Sequence, residues 1–266
     1  DPLNSFINTA GIKKVIFVPD GSLSFLPFDS LKTGDNRYLA DRYEITLTPS
    51  VTVSTMIRNR NYNKRHNLMA FGGGMYSSRG EGVTRGNKSF RGVNIDGGDK
   101  EKLAARAFNT PLEYYQAQKI TWSDLPGTER EVSAINEKIY RKKNTDVYTG
   151  MNVSEDNLKS LSRSGKLKKY SSIHFACHGY YDPEYPAYSA VVFSEVSGKL
   201  KESREDGYMS VEETALLNLQ SEIVVLSACE TGLGRMVRGD GVIGLTRAFQ
   251  VAGSNRVLVT LWQVSD

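Results

Sequence analysis

EIVVLSACETG, residues 222–232, opens on a near-continuous apolar run, Glu222–Ala228, and closes on a glycine-containing turn. The run is short, β-branched and apolar on both faces. It predicts a strand covered on two sides, the pattern of a parallel sheet. Downstream, Asp240 is placed to cap a helix carrying Val242, Leu245, Ala248, Phe249 and Ala252, stopped by Gly253. Arg256–Leu261 (RVLVTL) then predicts another buried strand. Strand, helix and strand thus alternate here.

The same alternation continues upstream. Ser171–Cys177 (SSIHFAC) and Ala190–Phe193 (AVVF) predict strands, and Ser210-Val211-Glu212-Glu213 is a capping box opening a helix through Leu217. Ser154 caps a helix with Leu158 and Leu161, and Val147 and Tyr148 mark a short strand. Thr128-Glu129-Arg130-Glu131 predicts a second capping box, with Val132, Ile135 and Ile139 on one face of the helix it opens. Asn67–Phe71 predicts a strand closed by Gly72-Gly73-Gly74. Val51–Arg60 predicts a helix and Glu44–Pro49 a strand; Lys14–Pro19 (KVIFVP) predicts a buried strand ended by the Asp20-Gly21 turn. The fold class expected is α/β: a mostly parallel sheet with helices on both faces. From Met75 to about Trp122, Gly, Arg, Ser and Asn dominate and periodicity fades except near Lys102–Phe108, so residues 75–122 are expected to be an insertion.

With 266 residues, 39% hydrophobic and 24% charged, the chain has room for one large domain or two small ones. The net charge of +4 is only mildly basic, and the local run Arg58–His66 reads as a solvated helix end rather than a nucleic-acid patch. No 18-residue apolar stretch predicts a membrane span. The first residues, Asp1-Pro2-Leu3-Asn4, carry neither an initiator Met nor a leader pattern, and the last, Asp266, follows a strand without a covering helix. Both ends are expected to be truncations of a longer chain. Two cysteines, Cys177 and Cys229, form no disulfide framework and suit a reducing compartment.

In an open parallel sheet, ligands bind beyond the carboxyl ends of the strands. Two strands end there in reactive residues: His174-Phe175-Ala176-Cys177-His178-Gly179 and Leu226-Ser227-Ala228-Cys229-Glu230-Thr231-Gly232. If the strands are neighbours, Cys229 and His178 face each other, and a thiolate near neutral pH needs such a base. The glycines let backbone amides approach a ligand, so the N–H groups of Gly179 and Cys229 are candidates for an oxyanion hole. Cys177 reads as a small buried hydrophobe. For Cys229, strand physics alone leaves nucleophile and buried hydrophobe both open. His174 and His178, four apart on a strand, would stand roughly 13 Å apart at 3.3 Å per residue, too far for one zinc ion. His174 therefore reads as a hydrogen-bonded core histidine. The glycines at 72–74 lack the G-x-G-x-x-G spacing of a dinucleotide site.

HFACHG (174–179) and LSACETG (226–232) resemble the two signature strands of CHAT domains, caspase-like cysteine peptidase domains related to caspases and separases and often fused to TPR repeats. VPDGSLSFLPFDSL (18–31), LPGTEREV (125–132) and GDGVIGLTRAFQVAGSNRVLVTLWQVSD (239–266) resemble other segments of that family in the same order. The resemblance implies a caspase-like three-layer sandwich and a single peptidase domain over 1–266, with the 75–122 insertion inside it. It implies His178, the histidine before glycine, as base and Cys229 as nucleophile. Separase relatives carry a W-x-V-x-D segment whose Asp helps bind a basic P1 side chain, which makes Asp266 an S1 candidate. It further implies a cytoplasmic endopeptidase without metal or organic cofactor. Its partners would be a protein substrate and a TPR or other regulatory region, and no nucleic acid. Its setting would be bacterial defence or signalling, with a gasdermin-like or CRISPR-associated substrate. The alternative is a CHAT module that has lost proteolysis and serves as a scaffold.

Overall fold

The computed structural model describes residues 11–20, 23, 26–62, 65–76, 111–118, 120–182, 185–227 and 240–259. The chain divides into two compact units, Asp1–Arg60 and Asn61–Asp266.

In the first unit, β1 (Lys14–Phe17) pairs in parallel with β2 (Glu44–Leu47), and α1 (Val51–Arg58) follows. Ser50 caps α1 by accepting the Val53 N–H at 3.0 Å. The run at 14–19 does form a strand, but not the buried one expected. Its residues alternate between exposed and half-buried. Lys14 sits at the surface, where it pairs with Glu44 across the ladder at 2.6 Å.

The second unit is built on β3 (Leu68–Gly74). It continues through α2 (Pro111–Gln118), α3 (Pro126–Ala134), β4 (Thr145–Gly150), α4 (Glu155–Arg163) and β5 (Ser172–Ala176). After these come β6 (His178–Tyr180), β7 (Ala190–Val192), β8 (Tyr208–Ser210), α5 (Val211–Ala215), β9 (Ile223–Leu226), α6 (Asp240–Ala252) and β10 (Arg256–Val259). Among the described residues, a five-stranded sheet runs in the order β10-β9-β5-β3-β4, every pairing parallel. The chain enters at β3, steps to β4 on one side, returns to β5 on the other and moves outward through β9 to β10. Its direction of winding reverses between β3 and β5, the place where an open α/β sheet parts its loops into a crevice.

Strand alternation sorts the core. Met69, Phe71, Ile173, Phe175, Val224 and Leu226 face Leu158 and Leu161 of α4 and Phe249 and Ala252 of α6. Leu68, Ala70 and Ala176 face Val132 of α3. Helices thus cover both faces, as the α/β pattern predicted. β10 alternates between exposed and half-buried where a buried strand was expected, with Leu258 58% exposed.

A second sheet, β6-β7-β8, is antiparallel and carries its own aromatic core. Tyr76, Tyr114, Tyr115, Trp122, Tyr180 and Tyr208 are all buried in it. Within the expected insertion, α2 delivers Tyr114 and Tyr115 to this core; residues 77–110, and with them the periodicity near 102–108, lie outside the described residues.

Two local expectations change. Gly72-Gly73-Gly74 lie inside β3 rather than closing it. A Cβ on Gly72 would stand 2.6 Å from the Thr128 carbonyl oxygen, so glycine is what lets α3 seat directly on the strand. The box at 128–131 does not cap its helix. Pro126 occupies the first turn, so the helix starts earlier, and Thr128 Oγ1 accepts the Gly73 N–H at 2.8 Å and donates to the Leu125 carbonyl at 2.8 Å. Glu131 is left free of capping and turns toward the sheet. The Ser210–Glu213 box forms as expected.

Candidate active site

β5 and β9 are neighbours, with His174 opposite Val225 and Phe175 opposite Leu226. The Ser227 N–H continues that ladder by donating to the Phe175 carbonyl at 2.8 Å. The two strands that precede His178 and Cys229 in the sequence therefore end at one edge of the sheet, beside the β3–β5 reversal. Cys229 and Asp266 lie outside the described residues. His178 and Gly179 are described and buried. They open β6, where His178 pairs with Val192 and Gly179 with Val191.

His178 is 1% exposed. Its Nε2 lies 2.7 Å from the Ser123 carbonyl oxygen. A carbonyl can only accept, so Nε2 carries the proton, and in the neutral ring Nδ1 holds the basic lone pair. Tyr76 meets the imidazole edge-on at 4.6 Å between ring centroids, and Trp122 lies at 4.9 Å. Each of these aromatics is anchored in turn. The Tyr76 N–H donates to Asp124 Oδ1 at 2.7 Å and its hydroxyl to the Val192 carbonyl at 3.3 Å, while Trp122 Nε1–H donates to the Tyr208 hydroxyl at 2.9 Å.

Cys177 precedes His178 and is fully buried. Burial pushes its thiol up to about 12, so it stays protonated and inert. Tyr76 is raised well above the usual phenol range, by burial first and then by the neighbouring Cys177.

His174 is 7% exposed and held by Glu131, with Nε2 2.8 Å from Glu131 Oε1. Ser227 Oγ donates to the other carboxylate oxygen at 3.2 Å. Burial works to raise the Glu131 carboxyl, but the hydrogen bonds from His174 and Ser227 outweigh it and leave it below its usual range. Glu131 thus joins α3 to β5 and to Ser227 just past β9, a role masked in the sequence by the apparent capping box. One signal was available: a histidine at an inward strand position needs a buried partner, and an acid beside Val132 on the facing helix supplies it.

Among the described residues, one group of three acids has metal-ligand spacing: Glu155, Glu205 and Glu213. Lys159 Nζ already fills its centre, 2.7, 2.5 and 2.7 Å from the three carboxylates. No helix among the described residues is long and apolar enough to cross a membrane.

The model of the CHAT domain family matches residues 1–266. The chain belongs to the CHAT family. CHAT domains are a caspase-like, peptidase-related group, in keeping with the three-layer arrangement and the His-Gly step at the sheet edge. The chain is also similar to human tetratricopeptide repeat protein 28, at 23% identity over 280 residues. That match covers 95% of this CHAT domain and 10% of the relative, so the chain spans about a tenth of the relative's length.

Proposed function

We propose that this CHAT domain is a cysteine endopeptidase in which His178 activates Cys229. The observation that carries the proposal is the tautomer of His178: Nε2–H is committed to the Ser123 carbonyl, so Nδ1 is the nitrogen with a lone pair for a thiol proton. No carboxylate is needed to orient such a base, because the backbone oxygen does so. Cys229 follows Ser227 by two residues, a chain reach of about 7 Å.

In the proposed reaction His178 Nδ1 takes the Cys229 Sγ proton. The sulfur bonds to the scissile carbonyl carbon, and the N–H groups of Gly179 and Cys229 receive the oxyanion. Collapse breaks the C–N bond as His178 returns the proton to the leaving amine. Water, deprotonated by the same nitrogen, then cleaves the thioester and restores the thiol. Asp266 is proposed to receive a basic P1 side chain. The substrate is proposed to be a partner protein, and the similarity to a tetratricopeptide repeat protein supports a TPR tract in the full-length chain. The family resemblance supports a role in bacterial defence or signalling, with a gasdermin-like or CRISPR-associated substrate. The two cysteines without a disulfide framework support a cytoplasmic setting.

The test is cleavage of an unbiased peptide library by wild type, Cys229→Ala and His178→Ala. Loss of cleavage in both variants is expected. Equal cleavage by all three would overturn the assignment. An inert Cys229 toward a thiol-reactive peptidyl inhibitor would favour the scaffold alternative.

A further inference from the structure

The contacts around His178 close into a ring. His178 pairs with Val192 in the β6–β7 ladder. The Val192 carbonyl accepts the Tyr76 hydroxyl, the Tyr76 N–H is held by Asp124 Oδ1, and Ser123, the residue before Asp124, holds His178 Nε2–H. Trp122 closes a smaller ring through the Tyr208 hydroxyl, since Tyr208 pairs with Val192. Three consecutive residues, Trp122, Ser123 and Asp124, thus supply a wall, an acceptor and a tie to one imidazole.

The tie matters because of where β3 stops pairing with β5. That ladder reaches Gly72 opposite Ala176 and goes no further. Tyr76 lies beyond it, where no strand partner from β5 fixes its backbone. Asp124, 48 positions along the chain, accepts its N–H instead. A buried amide with a charged acceptor is held firmly, and its loss would leave that amide without this partner.

We propose that Asp124 is a positioning residue for His178, locking Tyr76 against the imidazole and keeping the Ser123 carbonyl on Nε2. It touches neither substrate nor reacting atoms and acts through Tyr76 and its own chain neighbour. The inference goes beyond the proposed peptidase chemistry, and its catalytic consequence rests on that chemistry.

A readout independent of activity exists. The chain has three histidines, so the imidazole Nε2–H of His178 can be followed by NMR in 15N-labelled protein and assigned by its loss in His178→Ala. In wild type this proton should exchange slowly and the ring should be the single Nε2–H tautomer. Asp124→Ala should speed that exchange by at least about tenfold and mix the tautomers, while the His174–Glu131 signal stays in place. Asp124→Asn retains the Oδ1 acceptor and should keep the wild-type pattern. Tyr76→Phe cuts the same ring at the Val192 end and should shift His178 in the same direction, which keeps the test open if Asp124→Ala does not fold. In a cleavage assay, Asp124→Ala should lower kcat by about tenfold with KM within about twofold.

Unchanged exchange and tautomer in both Asp124→Ala and Tyr76→Phe would overturn the proposal, as would an Asn variant as impaired as Ala. If the NMR changes occur but wild type cleaves nothing, the positioning role stands and the peptidase proposal falls.

Discussion

Replacing Lys159 with Met should destabilise the fold by about 3 kcal/mol at pH 7. Lys159 on α4 bridges Glu155 on its own helix, Glu205 and Glu213 at 2.5–2.7 Å. Glu155 is fully buried, and its second oxygen accepts the Gly207 N–H at 2.8 Å. With Glu155 largely protonated at pH 7, the charged partners that Lys159→Met leaves behind are Glu205 and Glu213; a hydrogen bond to a charged group contributes about 1.5–3 kcal/mol, and both partners keep some solvent. The pH dependence gives the sharper check. Burial pushes the Glu155 carboxyl from 4.5 up to about 8, since one ammonium shared among three acids does not offset its desolvation. An acid with a raised folded pKa holds its proton more tightly when folded. Its stabilising contribution is therefore fully present below about pH 4.5 and declines as pH climbs toward about 8. The steepest loss is about 1.4 kcal/mol per pH unit. Glu155→Gln cannot ionise and should lose this slope. Urea unfolding followed by tryptophan fluorescence at pH 5, 6, 7 and 8 reads both effects. Parallel pH slopes in wild type and Glu155→Gln would refute the reasoning, as would a Lys159→Met cost below about 0.5 kcal/mol at pH 7.

Other variants probe the sheet edge and the core. Cys177 is buried with its thiol pushed up to about 12, so folded Cys229→Ala protein should resist iodoacetamide at pH 8 and react only once denatured; mass spectrometry reads the adduct. Glu131→Ala leaves His174 and the Ser227 hydroxyl without their shared acceptor and should cost about 1–3 kcal/mol in urea unfolding. Glu131→Gln should recover most of that loss, because its amide can still bridge the two strands. Gly253 ends α6 at φ 125°, where an added Cβ would lie 2.1 Å from the Leu219 carbonyl oxygen. Gly253→Ala should therefore destabilise by at least about 3 kcal/mol, seen as a lowered urea midpoint.

Much of the scaffold was legible before any coordinates. The apolar runs around Ile173 and Val224, the Ser154 and Ser210 caps and the helix at Val242–Ala252 depend on local pattern, and the structure has them at those places. Cys177 was legible as a buried thiol for the same reason. The misread elements share a different cause. Gly72–Gly74 carry the mark of a strand end, yet β3 runs through them because α3 packs too close for a side chain. Tyr114, Tyr115 and Trp122 sit in a stretch without periodicity, and only their partners Tyr180 and Tyr208 on the antiparallel sheet make them core.

His178 is where the two kinds of information meet. The residue itself, its following glycine and the strand before it were legible in the sequence, because covalent order and alternation place them at a sheet edge; that His178 opens β6 of the antiparallel sheet was not. Nor was its tautomer. That depends on the Ser123 carbonyl, 55 residues earlier in the chain, and on Tyr76 and Trp122 closing around the ring. Glu131 follows the same division: local spacing made it a capping acid, and packing of α3 on the sheet turned it to His174 and Ser227. Local patterns record what a segment can do alone. Which nitrogen holds a proton, and which acid meets which histidine, follow from contacts between segments far apart in sequence, and the tertiary fold alone decides those.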